Sequence, residues 1–134
     1  MVKRAETPRV QVSWGELFDK ITILRIKVDR LTNEAAQQNA RRELEILEDS
    51  AALLSPLEPA LAAAIEELTL VNTALWTIED DIRDCERGKD FGAVFIELAR
   101  SVYHKNDERA RIKRRINDFL GSDIIEEKSY AEYC

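Results

Sequence analysis

Three features of the sequence predict an all-α fold, an antiparallel up-down-up-down bundle of four helices. Apolar residues recur in steps of three and four over four separate stretches, the connections between those stretches are short, and only four glycines and three prolines interrupt 134 residues. A chain of this length forms one domain, residues 1–134, with a core large enough to need no disulfide or structural metal.

Residues 1–12 carry Pro8 and the alternation Val10, Gln11, Val12, which suits an extended lead-in or a short edge strand. Ser13 followed by Glu16 is a capping-box pattern, and Trp14, Leu17, Ile21, Leu24, Val28 and Leu31 then form one helical seam, placing the first helix over about 14–32. Ile23 and Ile26 flank that seam and serve either a wider core or a second copy of the chain. After a turn at Asn33, Ala40, Leu44, Leu47, Ala51 and Leu54 define a second helix over about 35–54, ended by Ser55, Pro56 and Pro59. The third helix, about 58–87, presents Leu61, Ile65, Leu68, Val71, Leu75, Ile78, Ile82 and Cys85, with Gly88 as its left-handed terminator. Asp90 caps a fourth, about 90–120, whose face runs from Phe91 and Phe95 to Ile112, Ile116 and Phe119 before Gly121 ends it. The last two helices exceed the first two, so their shared turn overhangs by about two turns or packs on a partner subunit. Residues 122–134 form a tail, with Cys134 exposed at the end.

A formal net charge of −6 disfavours nucleic acid and anionic membranes, and no apolar run approaches a membrane span. A cytoplasmic location is therefore expected. Two cysteines give neither a disulfide framework nor zinc-ligand spacing, and no cofactor is expected. A glycine-rich phosphate loop, a nucleophile elbow and a Cys–His constellation are all absent, leaving the catalytic residues unknown. The lone His104 reads as a surface residue without a recognisable partner.

The fourth helix breaks its own seam. Between Val102 and Ile112 the inward positions hold Lys105 and Arg109, with Asn106 and Lys113 on the flank. Matching levels across the bundle brings in Asn72 and Glu67, Arg42, Glu43 and Glu45, and Lys20, Arg25 and Lys27, which makes a mid-bundle polar layer. Two arrangements follow. Either Lys20, Lys27, Lys105 and Arg109 surround a small carboxylated or phosphorylated ligand, or the cations pair with Glu43, Glu45 and Glu67 and fix helix register; pairing is the favoured arrangement.

Glu79, Asp80, Asp81, Asp84 and Glu86 crowd the end of the third helix, where they either hold magnesium or form ion pairs with Arg83 and Arg100. The acidic pairs Glu45/Glu48 and Glu16/Asp19 are reminiscent of all-helical nucleotide pyrophosphatases, although their order along the chain differs. The run Arg109, Arg111, Lys113, Arg114, Arg115 is basic without interleaved aromatic residues, which favours a solvated helix face over a base-stacking surface.

The strings VSWGELFDKITILRIK, ALWTIEDDIRDCE, DFGAVFIELARSVYHKNDERARIKRRIN and EEKSY resemble, in order and over nearly the whole chain, a bacterial family catalogued only as a domain of unknown function. That family implies no activity, ligand or catalytic residue. Its strings include Glu16, Asp19, Lys20, Lys27, Glu79, Asp80, Arg83, Arg100, Tyr103, Asn106, Asp107, Arg109 and Lys113; Trp14 departs from the smaller residue the family has between serine and glycine. The expected function is a non-enzymatic helical interaction or accessory module that self-associates as a homodimer or binds another protein. The competing expectation is a bundle that binds or transforms a small anion through Lys20, Lys27, Glu79, Asp80, Arg100, Lys105, Asn106, Arg109 and Lys113. A solvent-open cavity at the polar layer separates the second from the first, in which ion pairs close the layer and an apolar patch lies outside it.

Overall fold

The computed structural model describes residues 3–133, so Cys134 lies outside the described residues. Four α-helices follow one another: α1 (Trp14–Arg30), α2 (Glu34–Ala51), α3 (Pro59–Arg87) and α4 (Ala93–Leu120), with a single 3-10 turn at Ala52–Leu54 after α2. Among the described residues there is no strand, so the lead-in before Ser13 is irregular backbone.

Ser13 caps α1 as its sequence implies, its Oγ accepting from the Glu16 amide at 3.0 Å. The box is only half closed, however. Glu16 turns its carboxylate to Lys113 at 2.7 Å and Lys20 at 3.7 Å. Asn33 caps α2 by accepting from the Ala36 amide at 2.9 Å, and Pro59 opens α3 where its missing N–H costs nothing. Two turn assignments need correction. Gly88 keeps a right-handed backbone (φ −82°), and the left-handed residue of the α3–α4 turn is Lys89 (φ 53°). Asp90 does not cap α4, which starts three residues later than expected with Gly92 at the cap; the Asp90 carboxylate instead accepts from the Gly92 amide inside the turn, at 3.1 Å. At the far end Gly121 is left-handed (φ 61°) as expected, which lets the Ser122 amide reach back to the Asn117 carbonyl at 2.9 Å.

The core is built from Leu17, Phe18 and Ile21 of α1, Leu61, Ile65, Leu68 and Val71 of α3, and Ile112 and Ile116 of α4, with Leu44 and Leu47 of α2 half-buried against it. The bundle is not square. The α1 backbone approaches all three other helices, whereas that of α2 approaches only α1. Side-chain pairings give the directions: Gly15 meets Asn117 and Asp19 meets Arg109, Val28 meets Gln37 and Arg25 meets Glu48, so α4 and α2 both run against α1.

At 29 and 28 residues, α3 and α4 outlast the 17 residues of α1. Among the described residues, none on α3 beyond Asn72 and none on α4 before Ile112 is fully buried. Residues 73–87 and 93–108 therefore form a distal hairpin whose seam, Leu75, Ile78, Ile82 and Cys85 against Phe95, Leu98 and Val102, is only half-buried. Cys85 is accordingly not a core residue. Ile26 is buried and serves the core of this chain, while Ile23 is half-buried. By length and mean hydropathy α3 qualifies as long and apolar enough to cross a bilayer, which corrects the reading that no apolar stretch reaches that length; its Leu61 to Val71 half is packed into the core.

Candidate functional site

The polar layer exists, and its centre is Asp19, a residue off the main apolar seam of α1. Asp19 is 1% exposed. Its Oδ1 accepts from Arg109 Nε at 2.8 Å and from Asn72 Nδ2 at 3.0 Å, while Arg109 Nη2 donates to Oδ2, so the guanidinium grips both carboxylate oxygens. Asn72 also donates to Thr22 Oγ1 at 2.9 Å, and that hydroxyl donates to the Asp19 carbonyl at 2.8 Å. The hydrogen bond that Arg109 donates to Asp19 outweighs burial and raises the guanidinium above its ordinary value. One turn along, Lys113 and Glu16 form a second pair. Among the described residues no buried side-chain nitrogen or oxygen lacks a partner, so the layer is closed.

The remaining candidates do not converge on it. Lys105 is half-buried and pairs along its own helix with Glu108 at 3.3 Å; Lys20 is exposed beside Glu16; Lys27 is half-buried and meets no carboxylate among the described residues. Asn106 touches the layer only through a long contact to Arg109 at 3.4 Å. Of the acids expected to neutralise the layer, Glu67 goes to Arg115 and both Glu43 and Glu45 face solvent. Arg25 is held by Glu48 at 2.9 Å. Glu79 and Asp80 lie exposed on the distal hairpin, with Glu79 held by Arg83 at 2.6 Å, while Arg100 pairs with Glu97 rather than with that acidic cluster. No three His, Cys, Asp or Glu side chains among the described residues are grouped to hold a metal. The Glu16/Asp19 pair faces cations on α4, the opposite of a metal-binding arrangement.

The start of α1 is capped from outside its own sequence. Its orphan amides go to Ser13, to the buried Asn117 (Gly15 N–H to Oδ1, 2.7 Å) and to Ser122 (Trp14 N–H to Oγ, 3.3 Å). Seating α1 this closely on α4 needs Gly15, where a Cβ would stand 2.5 Å from the Lys113 carbonyl oxygen.

The tail was the least legible segment and proves to be a strap. Residues 122–133 run back along α4, with Ser13 donating to Glu126, Arg114 facing Glu127 at 3.7 Å, Lys128 on Asp107, and Tyr133 Oη donating to Asp107 at 2.8 Å and lying 3.2 Å from His104 Nδ1. His104 thus has a partner, supplied by the tail. Between strap and helix lies an open groove of about 1180 Å³, floored by Asn106, Arg109, Ala110, Lys113 and Asn117. Every residue of 123–133 is exposed. Ordering each costs about 1–2 kcal/mol, against about 0–1 kcal/mol for an exposed ion pair, so the strap is far less stable than the helices it lies on.

The hydrogen bond from Lys128, and then that from Tyr133, hold the Asp107 carboxyl below its usual range. A depressed acid stabilises the docked tail fully above the ordinary carboxylate value of about 4 and loses that contribution as pH falls through the lowered one. Tail amide resonances are therefore expected to move to free-chain positions below about pH 4 while helix resonances persist, as read by two-dimensional NMR. Tail signals unchanged down to pH 2 would contradict the Asp107 latch.

The molecule is thus a helical bundle with a closed ionic layer, a projecting hairpin and a strapped groove. A model described as a family of unknown function, DUF6165, matches residues 8–133, and the chain belongs to that family. No curated protein and no solved structure matches it.

Proposed function

We propose that the protein is a self-associating helical module in which the distal hairpins of two copies pair into a four-helix bundle. The observation that carries this reading is the half-buried seam of the hairpin, continued outward by Phe91 (49% exposed), Val94 (64%) and Ile96 (55%). Two helices alone cannot enclose such a seam; a second hairpin can.

Charge favours a second copy over another partner. The hairpin tip carries Glu79, Asp80, Asp81, Asp84, Glu86 and Asp90 against Arg83, Arg87 and Lys89, whereas α4 near the hairpin base exposes Arg111, Arg114 and Arg115, Lys105, Arg109 and Lys113 there being taken by Glu108, Asp19 and Glu16. Two hairpins related by a two-fold axis and lying head to tail set each acidic tip beside the other's basic base. The layer around Asp19 supports the same reading, because its buried polar atoms are all paired and the two cations it shows to the groove, Arg109 and Lys113, are already taken by Asp19 and Glu16.

Light scattering on a size-exclusion column is expected to give about twice the 15.4 kDa of the chain. Val94→Glu, at a position exposed in the single chain, should halve that mass without loss of helicity. A wild-type protein that stays monomeric at hundreds of micromolar would refute the proposal.

A further inference from the structure

The slack in the strap is informative. Twelve extended residues reach roughly 40 Å, while the α4 positions that the tail latches to, Asn117 through His104, span only about 20 Å of helix axis. The tail thus has more length than its latches need, and a groove lined by both α4 and residues 126–133 lies between them. A peptide chosen only to fill out the core would lie flat and bury its apolar side chains; Ile124, Ile125 and Tyr130 of this tail are all exposed.

What holds the strap is polar recognition. It carries Asp123, Glu126, Glu127 and Glu132 against one cation, Lys128. Opposite it, Arg109 and Lys113 are already neutralised by Asp19 and Glu16, leaving Arg111, which has no ion-pair partner among the described residues, and Arg114, shared between Asp118 of its own helix at 3.6 Å and Glu127 of the strap at 3.7 Å, as the positive charge of the groove wall. Asp107 receives the single lysine and a tyrosine hydroxyl, and Tyr103 packs against the Tyr133 ring with centroids 5.0 Å apart. Each part of this arrangement reads one feature of an extended acidic segment with an aromatic residue near its end.

We infer that the α4 face beneath the tail is a binding groove for an extended acidic peptide of a partner protein, and that the tail occupies it in cis as a displaceable stand-in. The strap gives a carboxylate to Arg114, another to Ser13 and a ring to Tyr103; its competitor meets the same groups and places a further carboxylate on Arg111. Because the tail competes within the same chain, the affinity of the groove for an added peptide is reduced by the fraction of molecules in which the tail is docked. Arg111 and Arg114 also belong to the basic base of the hairpin, so the mass of each variant is read by light scattering beside its peptide affinity, which separates a loss of pairing from a loss of the groove.

The test uses the full-length protein and a fluorescein-labelled peptide of the sequence of residues 122–133, titrated by anisotropy. Wild type should bind weakly, and a full-length Glu126→Lys, Glu127→Lys variant, whose tail is repelled by the groove, at least tenfold more tightly, with affinity falling as salt is raised. Adding Arg111→Glu and Arg114→Glu should abolish binding; both side chains are exposed, so the fold is not at stake. As a readout that needs no variant, excess unlabelled peptide should move the tail amide resonances of the wild-type protein toward free-chain positions. The inference fails if the tail-repelled, folded variant binds no more tightly than wild type, or if a peptide with Asn and Gln in place of its acids binds equally well. It also fails if wild-type tail resonances ignore millimolar peptide, or if a single-stranded oligonucleotide binds the variant better than the peptide does.

Discussion

Replacing Arg109 with leucine is expected to cost about 3–5 kcal/mol, because it leaves the Asp19 carboxylate buried with only Asn72 to answer it. Arg109 is itself 29% exposed, so water already reaches part of the guanidinium and the lower end of that range applies. Against a total stability of about 5–15 kcal/mol, this is still a large fraction. Urea unfolding followed by circular dichroism measures it. Arg109→Lys should fall between, since one ammonium cannot serve both oxygens that the arginine fork holds. Replacing both partners with leucine should recover most of the loss, because Asn72 keeps Thr22 as its acceptor and no buried charge remains. The sign matters more than the size. A mid-bundle anion site would be a cluster of unpaired cations, and removing one of them would stabilise the protein; an Arg109→Leu variant as stable as wild type would therefore overturn the closed layer.

The helices were legible because a period of 3.6 survives whatever the helix packs against. All four fall within a few residues of where spacing puts them, and the interruption of the α4 seam at Arg109 correctly marked a polar layer. What answers Arg109 was harder to read. Trp14, Leu17, Ile21 and Leu24 form one stripe on α1, spaced three, four and three, and beside it lies a second, Gly15, Asp19, Thr22 and Ile26, spaced four, three and four and all buried. A helix touching three neighbours needs a wide inward face, and α1 is that helix. Level-matching across a square bundle nominated Glu43 and Glu45 on α2, but α2 approaches only α1 and so never brings its acids to Arg109. The tail escaped for a different reason. Its contacts are ion pairs and hydroxyl bonds between residues far apart in sequence, and such contacts leave no periodic trace. The turn assignments missed through local chemistry: either Gly88 or its neighbour could take the left-handed position, and Lys89 does.

Gly15 is where sequence preference and packing oppose each other most sharply, and Gly15→Ala is expected to destabilise the protein by about 1–3 kcal/mol. Alanine gains at most about 1 kcal/mol over glycine in a helix interior, and Gly15 sits in the first turn, where that gain shrinks. The opposing term is steric. The new Cβ would stand 2.5 Å from the Lys113 carbonyl oxygen and 2.9 Å from Asn117 Oδ1. The Asn117 side chain can rotate, but the carbonyl belongs to a continuous α-helix and yields only if α1 and α4 separate. Separation would lengthen the Gly15 to Asn117 hydrogen bond and loosen the pairs that bridge the same two helices, Glu16 to Lys113 and Asp19 to Arg109. The backbone contact therefore decides the sign. Thermal unfolding of Gly15→Ala in both the wild-type and the Asn117→Ala background separates the two contributions. The loss should persist when Asn117 is trimmed, because the Lys113 carbonyl remains; full recovery in that background would mean that the side chain alone set the helix spacing.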